Sequence, residues 1–286
     1  MSRISMRFDG GGPYGFGNVR RSQELGEFLL RQGHSVNFNP LSERAAALLN
    51  RTADPQMIRP DVVLLDVPYT GDEVLAQARE DGAKVLALDY EGDVAPDLVV
   101  SLQSVRRLPK GCRAVSGVEY AIIREEIRSL GIQHIPEDNV LVIVGGGDSD
   151  GLSARIAQAL AQDCPKITVI QGPAGGTLEG MPEGVEVVTH PADLPARMAV
   201  CRWAVTTGGT TMLEMLCLGK AVHVIPRTDP EEQFARRFEA QHTLLGLGMD
   251  SLRLPDAERL RICEQKGPQI VDGGGCQRIA SLIETL

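Results

Sequence analysis

Short apolar runs alternate with amphipathic stretches along this 286-residue chain. In its first half, runs such as residues 4–8 and 62–65 have the length of buried strands, and the stretch 18–32 has helical periodicity. Strands that alternate with helices of about 10–15 residues predict a parallel sheet built from βαβ units. The other predicted strands of this half are 35–38, 84–88 and 97–100, and its other predicted helices are 42–51 and 71–80.

The same pattern restarts in the middle of the chain. An apolar run at 140–144 is again followed by glycines and by a predicted helix at 152–161. We therefore predict two doubly wound, Rossmann-like α/β domains, residues 1–135 and 136–286, joined by a linker at 131–138 and separated by a binding cleft. The second domain's further predicted strands are 166–170, 185–188, 203–206 and 221–225, and its further predicted helices are 193–200, 210–218, 231–245 and 276–286.

Composition limits the possible functions. Hydrophobic residues make up 43% of the chain and charged residues 23%, as in a globular protein with a sizeable core. No apolar run approaches the roughly 20 residues that cross a bilayer, so no membrane span is expected. The net charge of −9 argues against a nucleic-acid surface, which needs clustered Lys and Arg. Scattered cysteines and a start unlike a signal peptide favour a cytoplasmic protein with reduced thiols, and we expect a monomer or loose dimer.

Three glycine-rich turns follow predicted strands, at residues 9–17, 145–148 and 206–209. A backbone without Cβ can approach a phosphate closely, and the helix that follows presents free amides and the positive end of its dipole. Each turn taken alone is also explained by the needs of a tight strand-to-helix connection. Three such turns favour a site for a phosphorylated small molecule at the carboxyl ends of the strands.

The turn Thr206-Thr-Gly-Gly-Thr-Thr-Met-Leu-Glu is the most informative of the three. Its amides and hydroxyls can bind a pyrophosphate, and Glu214, one helical turn further on, can accept hydrogen bonds from ribose hydroxyls. The alternative is a capping box with Thr211 as the N-cap and Glu214 at the third helical position, and the sequence leaves both interpretations open. The predicted nucleotide-binding residues are Gly146, Gly147, Gly208, Gly209, Thr210, Thr211 and Glu214.

Four segments of the chain resemble one enzyme family. They are Arg7-Phe-Asp-Gly-Gly-Gly-Pro-Tyr-Gly-Phe-Gly-Asn-Val-Arg-Arg, Ser116-Gly-Val-Glu-Tyr-Ala-Ile-Ile-Arg-Glu-Glu, Gly145-Gly-Gly-Asp and Thr207-Gly-Gly-Thr-Thr-Met-Leu-Glu. These segments are similar to the loops of GT-B enzymes, in particular the UDP-sugar hydrolases of pseudaminic acid biosynthesis, which are related to the peptidoglycan glycosyltransferase that makes the lipid-linked disaccharide. The resemblance runs over most of the chain.

The resemblance implies the GT-B fold, with the last helix crossing back onto the first domain. It also implies hydrolysis of a UDP-linked 2,4-diacetamido-2,4,6-trideoxyhexose, with UDP as part of the ligand and neither a cofactor nor a metal. The UDP is expected on the second domain, near 208–214 and the loop around Glu232 and Gln233, and the sugar beneath the loop 9–18. The sugar-binding residues implied are Gly15, Gly17, Tyr120, Arg124 and Gln233.

The chain departs from the family pattern at Asn18, where the family has the histidine proposed as its general base. An amide can orient a water or a hydroxyl but cannot accept its proton near neutral pH. We consider Asp9 the substitute base, although Asp9, Asp66 and Asp89 all follow strands and are also explained as loop caps. The predicted catalytic residues are Asn18, Asp9 and Tyr69, with Asp89 and Glu119 as further candidates.

Three functions remain open from the sequence. The first is a nucleotide-sugar hydrolase with a rearranged base, which the resemblance supports. The second is a glycosyltransferase, in which an acceptor hydroxyl replaces water and Asn18 positions it. The third is a nucleotide-sugar-binding protein that has lost its base and shows binding without turnover.

Overall fold

The computed structural model of the protein describes all residues except 12–14, 50–58, 106, 134–137, 146, 149 and 173–177. The chain divides into two compact units. The first unit comprises Met1–Arg124 and Gly273–Leu286, and the second comprises Glu125–Asp272. Each unit is built around its own parallel sheet.

The first unit ends earlier than the boundary at 135 that the sequence suggests. The start of the expected linker belongs to the second unit because it contacts that unit's core elements. The backbone carbonyl of Gln133 accepts a hydrogen bond from Lys220 Nζ at 3.0 Å, and Ile132 packs beside Gly219. Residues 134–137 of the expected linker lie outside the described residues.

In the first unit, the described strands form one sheet in the order β2-β1-β3-β4-β5-β6, and every neighbouring pair is parallel. All their carboxyl ends therefore lie along one edge of the sheet. The strands are β1 (Arg3–Phe8), β2 (Ser35–Pro40), β3 (Val62–Asp66), β4 (Lys84–Leu88), β5 (Leu98–Ser101) and β6 (Arg113–Ser116). The helices of this unit are α1 (Gly17–Arg31), α2 (Glu43–Ala47), α3 (Asp72–Glu80) and α10 (Gly275–Ile283).

Alternation along the strands divides the hydrophobic residues of the first unit between two faces of the sheet. Leu64 belongs to the cluster under α1 and α10, whereas its neighbour Leu65 belongs to the cluster under α3. The final helix α10 contributes Ile279 and Ile283, both almost fully buried, to the first of these clusters. The C-terminal end of the chain is therefore part of the core of the first unit.

In the second unit, the described strands form a parallel sheet in the order β12-β11-β10-β7-β8-β9. The strands are β7 (Val140–Ile143), β8 (Ile167–Gln171), β9 (Glu186–Thr189), β10 (Trp203–Thr206), β11 (Ala221–Val224) and β12 (Gly246–Leu247). The helices are α4 (Glu125–Arg128), α5 (Leu152–Leu160), α6 (Leu194–Val200), α7 (Thr210–Cys217), α8 (Asp229–Glu239) and α9 (Ala257–Ile270). Helices α5 and α9 cover one face, since Ile156 and Leu260 share a cluster with Val142 and Val205.

Four of the helices and strands given above are not predicted by the sequence pattern: β6, β12, α4 and α9. Helix α9 contains Gly267 and Pro268, which read as helix breakers. In the structure Gly267 lies against α7, where a Cβ would come within 2.7 Å of the backbone oxygen of Leu216, so glycine permits the close contact of the two helices. Helix α8 runs from Asp229 to Glu239 rather than over the predicted 231–245, and the chain beyond it is not helical, as the positive φ of 57° at His242 shows.

Candidate functional site

Three aspartates stand at the carboxyl ends of neighbouring strands in the first unit. Asp9 follows β1, Asp66 ends β3, and Asp89 follows β4. These strands are adjacent and parallel, so their ends meet at one edge of the sheet. This edge of an open α/β sheet is where ligands usually bind.

Asp9 is held by three hydrogen-bond donors. Its Oδ1 accepts from the backbone N–H of Gly10 at 2.8 Å and from Ser42 Oγ at 2.5 Å. Its Oδ2 accepts from the hydroxyl of Tyr69 at 3.0 Å. Asp9 is only 7% exposed, whereas its partner Tyr69 is 41% exposed. The structure thus brings two of the three predicted catalytic residues into direct contact.

Asn18, the third predicted catalytic residue, lies in the first turn of α1 and contacts a different aspartate. Its Nδ2 donates to Asp66 Oδ1 at 2.7 Å. Asp66 is 1% exposed and also accepts a hydrogen bond from Ser22 Oγ at 2.9 Å. Asp66 is therefore an interior carboxylate that faces α1.

Arg21 joins two of the strand-end aspartates. Its guanidinium makes two contacts with Asp66, at 2.8 and 2.6 Å, and a third with Asp89 at 2.6 Å. Burial by itself lowers the pKa of Arg21, but the two carboxylates outweigh this effect and raise it above its ordinary value. Burial likewise opposes ionisation of Asp89, yet Arg21 and a hydrogen bond from Ser101 lower the pKa of that carboxyl. Both groups are charged at neutral pH.

The predicted sugar-binding residues of the first unit have varied surroundings. Gly15 has a positive φ of 71° and open space where a Cβ would stand, and its carbonyl accepts from the N–H of Gly11 at 2.6 Å. Gly17 begins α1. Tyr120 packs partly against the hydrophobic core, and Arg124 is half-buried at the end of the unit. A role for these four residues in binding remains a prediction.

In the second unit, the turn between β10 and α7 has the geometry of an open helix start. Helix α7 begins at Thr210 with Gly209 as its N-cap, and no side chain caps it within the described residues. Thr211 is therefore the second helical residue, and the capping box with Thr211 as N-cap, one of the two interpretations of this sequence, is wrong. Glu214 is 3% exposed on this helix.

The two glycines of this turn are required for different reasons. A Cβ on Gly208 would lie 2.7 Å from the backbone oxygen of Glu231, so this glycine permits the start of α8 to pack against the turn. At Gly209 the nearest atom to such a Cβ is Thr207 Oγ1 at 4.0 Å, and its φ of −107° suits any residue. Space is therefore open beside the N-terminus of α7.

The neighbouring helix starts are occupied by side chains of the chain itself. The Asp148 carboxylate accepts from the backbone amides of Leu152 and Ser153 at 2.8 and 2.9 Å, which fills the N-terminus of α5. Thr228 caps α8 in the same way. Gly147, predicted to bind nucleotide, accepts a hydrogen bond from Arg227 through its carbonyl at 2.8 Å, and Gly146 lies outside the described residues.

A cavity of about 670 Å³ lies in the second unit beyond the end of β11. Its wall carries both arginines and carboxylates, and two such pairs are Arg227 with Asp150 at 2.9 Å and Arg236 with Glu232 at 3.1 Å. Gln233, the predicted sugar-binding residue of this unit, is exposed on α8 next to Glu232. The cavity is lined by Asp150, Leu152, Arg155, Ile225, Pro226, Arg227, Glu232, Arg236, Glu239, Leu247, Gly248 and Met249.

Thiol and metal chemistry have little support in the described part of the chain. Burial, with the charges of Asp272 and Glu214, raises the pKa of the Cys217 thiol to about 11, so the thiol is neutral and unreactive at physiological pH. No group of three or more His, Cys, Asp or Glu side chains among the described residues is arranged to hold a metal ion. Nor is any described helix long and apolar enough to cross a membrane.

Arg21, which joins the strand ends of the first unit, is not among the site residues predicted from the sequence and stands only within the family-like loop segment. Ser22, Ser42 and Ser101 are not among them either. One signal was available: Arg21 is three residues after Asn18, which places both side chains on one face of α1. The contacts of Arg21 with two strand ends depend on the strand order, which the sequence does not show.

Comparison with known proteins places this architecture. No protein-family model matches the chain. It is 22% identical to the spore coat polysaccharide biosynthesis protein SpsG of Bacillus subtilis over 331 aligned positions, which cover 97% of this chain and 96% of SpsG. Among solved structures it is similar to MurG of Acinetobacter baumannii, with a TM-score of 0.66 and 16% identity over 99% of this chain and all of MurG.

It is also similar to HepE of Anabaena, solved in complex with UDP-glucose. The TM-score is 0.60 and the identity 13%, over 99% of this chain and all of HepE. The chain has a GT-B fold. The structural likeness confirms the predicted fold class of two Rossmann-like units. Because the identities are low, it does not decide which reaction the protein catalyses, and that reaction is argued from the residues.

Proposed function

We propose that the protein is a nucleotide-sugar-utilising enzyme that binds UDP on its second unit. The observation that carries this proposal is the open N-terminus of α7, flanked by helices whose N-termini are already capped by Asp148 and Thr228. Free amides and the positive end of a helix dipole favour a pyrophosphate at this position. We assign the pyrophosphate to the amides and hydroxyls of Gly209, Thr210 and Thr211.

Glu214 is proposed to bind the ribose. It lies on α7 beyond the phosphate-binding turn and is buried, so its carboxylate is screened little by solvent and can form strong hydrogen bonds with hydroxyl groups. The cavity beyond β11 has the volume of a small-molecule site and is lined by Glu232, which the family resemblance places near the ligand. A UDP-sugar is the ligand bound in the similar structure of HepE, which supports this choice of nucleotide.

The reaction proposed first is hydrolysis of a UDP-linked amino-deoxy sugar, as the sequence resemblance implies. The oxygen of water bonds to the anomeric carbon, the bond from that carbon to the phosphate oxygen breaks, and the electron pair leaves with UDP. The proton of the water goes to Asp9. Asp9 is suited to this role because in the described part of the chain it contacts only neutral donors, whereas Asp66 and Asp89 share the charge of Arg21.

Glycosyl transfer is the second candidate, and the similarity to a polysaccharide biosynthesis protein favours it. An acceptor hydroxyl then takes the place of water, and the same proton transfer to Asp9 applies. Asn18 would orient the nucleophile in both reactions. The two candidates differ only in what attacks, so assays of UDP release with and without added acceptors separate them.

The proposal is tested by closing the helix start with a charge. Gly209→Asp supplies a carboxylate N-cap like that of α5, and the open space and ordinary φ at this position make the change compatible with the fold. We expect UDP affinity, measured by calorimetry, to fall at least about 10-fold, because the carboxylate takes up the amides and repels the phosphates.

Gly209→Asn is the matched control, because it has the same shape without the charge and should weaken binding less. Equal UDP affinity in the wild-type protein and Gly209→Asp would show that the pyrophosphate does not bind at α7. A wild-type protein that binds no UDP would remove the proposal altogether.

A further inference from the structure

The contact between Asn18 and Asp66 fixes which end of the asparagine amide faces outward. An ionised carboxylate can only accept hydrogen bonds, so only the NH₂ group of Asn18 can lie against it. The distance of 2.7 Å from Nδ2 to Oδ1 is that of a charge-assisted hydrogen bond. The carbonyl oxygen of Asn18 therefore lies on the other side of the amide group, turned away from Asp66.

Asp66 is itself immobilised. It is 1% exposed, its two oxygens receive a bidentate contact from Arg21, and Ser22 donates to Oδ2. A planar guanidinium that makes two parallel bonds fixes the plane of a carboxylate, which a single point charge does not. Rotation of Asp66 would break three hydrogen bonds, so the acceptor that Asn18 meets does not change.

Arg21 is held in turn from the next strand. Its Nη1 contacts Asp89, whose other oxygen accepts from Ser101 Oγ at 2.7 Å, so the connection extends from α1 to the ends of β3, β4 and β5. The arrangement is more elaborate than a helix cap requires, because neither Asp66 nor Asp89 satisfies a backbone amide of α1 in the described structure. Its geometric result is one defined orientation of the Asn18 amide.

We propose that Arg21 and Asp66 are positioning residues that turn the carbonyl oxygen of Asn18 toward the attacking water. Asn18 then accepts a hydrogen bond from the nucleophile and leaves the lone pair of the nucleophile's oxygen free to attack. Water has a second O–H bond whose proton goes to Asp9, whereas an acceptor hydroxyl has only one O–H bond, so this arrangement favours water as the nucleophile. This inference rests on the proposed function, since it concerns the chemistry of the same site.

The experiment replaces Asp66 by asparagine and compares it with the same substitution just before the other end of β3. Asp66 ends β3, and Asp61 immediately precedes β3 and pairs with Arg3 at 2.8 Å. For Asp66→Asn we expect kcat for UDP release to fall about 10- to 100-fold, the scale of losses caused by misplaced groups, while KM and the Kd for UDP stay within about twofold. Asp61→Asn should leave kcat, KM and Kd unchanged.

A second readout does not depend on turnover. In protein labelled with ¹⁵N-asparagine, the side-chain amide of Asn18 is identified as the resonance lost in Asn18→Ala. It should shift in Asp66→Asn and stay in place in Asp61→Asn. If Asp66→Asn does not fold, Arg21→Lys serves instead, because lysine keeps the charge but not the bidentate contact, and kcat should fall without a change in the Kd for UDP.

The outcomes separate this inference from the proposed function. An Asn18 resonance that does not move in Asp66→Asn, or a wild-type kcat in that variant, overturns the positioning role even if UDP binds as expected. Failure of the wild-type protein to bind UDP overturns the proposed function, whatever the amide resonance shows.

Discussion

The carboxyl ends of the two parallel sheets carry different chemistry. In the first unit, the strand ends present charged side chains that are fixed by one another, with Arg21 between Asp66 and Asp89. In the second unit, the turn after β10 presents glycines, threonines and an uncapped helix start. Side chains that are hydrogen-bonded to one another keep their polar atoms in one orientation, which acid–base chemistry requires. Backbone amides without a partner can instead bind an anionic ligand reversibly.

The difference also appears in how each edge uses its carboxylates. Asp9 and Asp66 receive their hydrogen bonds from side chains and from the backbone of the same unit. In the second unit Asp148 occupies the start of α5, whereas the start of the neighbouring helix α7 has no side-chain cap in the described structure. The sheet edge of the first unit is thus suited to positioning catalytic groups, and that of the second unit to binding an anionic ligand. The following variants test this difference.

The largest expected effect comes from removing the proposed proton acceptor of the first edge. Asp9→Asn keeps the size of the side chain but cannot accept the proton of the nucleophile. We expect the rate of UDP release to fall about 10²- to 10⁴-fold, the usual contribution of a general base. The rate is measured on a panel of UDP-amino-sugars, with and without acceptors, and the Kd for UDP should not change.

Asn18→His provides the complementary variant for Asp9→Asn. A histidine at this position can donate one ring N–H to Asp66 and keep its other nitrogen as a base, so it should restore part of the rate lost in Asp9→Asn. A wild-type rate in Asp9→Asn would show that Asp9 is not the base. Hydrolysis that occurs only with Asn18→His would identify the natural protein as a transferase or a binding protein.

The next effect in size concerns the second edge. Glu214→Ala should weaken UDP binding by about 1–3 kcal/mol, the usual loss when a charged hydrogen-bond partner is removed. Calorimetry measures the affinity, and Glu214→Gln, which keeps one acceptor oxygen, should bind UDP with intermediate strength. If UDP affinity is the same in Glu214→Ala, this buried carboxylate has a packing role only and the second edge binds the nucleotide through its backbone alone.

Much of the architecture was predictable because it depends on local patterns. Buried strands such as β1 and β10 are short apolar runs, and α1 has clear helical periodicity with a glycine, Gly33, beyond its end. Helix α9 was not predictable in this way, because Gly267 and Pro268 suit a close contact with α7 rather than the intrinsic preference of a helix. The strand order, which decides the neighbours at each edge, is likewise absent from any local pattern.

The candidate site shows the same limit. Glycines and threonines after β10 could be recognised one residue at a time, because their chemistry is backbone chemistry and needs only a strand followed by a helix. The partner of Asn18 could not be recognised, since Asp66 lies on another strand and reaches α1 only through the order of the sheet. The sequence also leaves open at which helical position Glu214 stands. The structure decides this, because Gly209 is the N-cap of α7.

The smallest expected effect is a pH dependence of stability confined to the second unit. His223 of β11 is 2% exposed, and its Nε2 donates to the carbonyl of Gly248 at 2.9 Å. Burial lowers the pKa of His223 below its ordinary value near 6.5, so the unfolded chain binds a proton more readily than the folded one. The second unit should therefore be most stable above pH 6.5 and lose stability as the pH falls below it.

The single tryptophan allows this dependence to be measured in one unit. Trp203 is buried in β10, the strand paired with β11, so its fluorescence reports unfolding of the second unit. The urea midpoint followed by this signal should be lower at pH 5.5 than at pH 7.5, and His223→Gln should reduce the difference because glutamine does not titrate. If the urea midpoint of His223→Gln changes with pH as much as that of the wild-type protein, other groups cause the acid sensitivity. Protonation of His223 would then not limit the stability of the second unit.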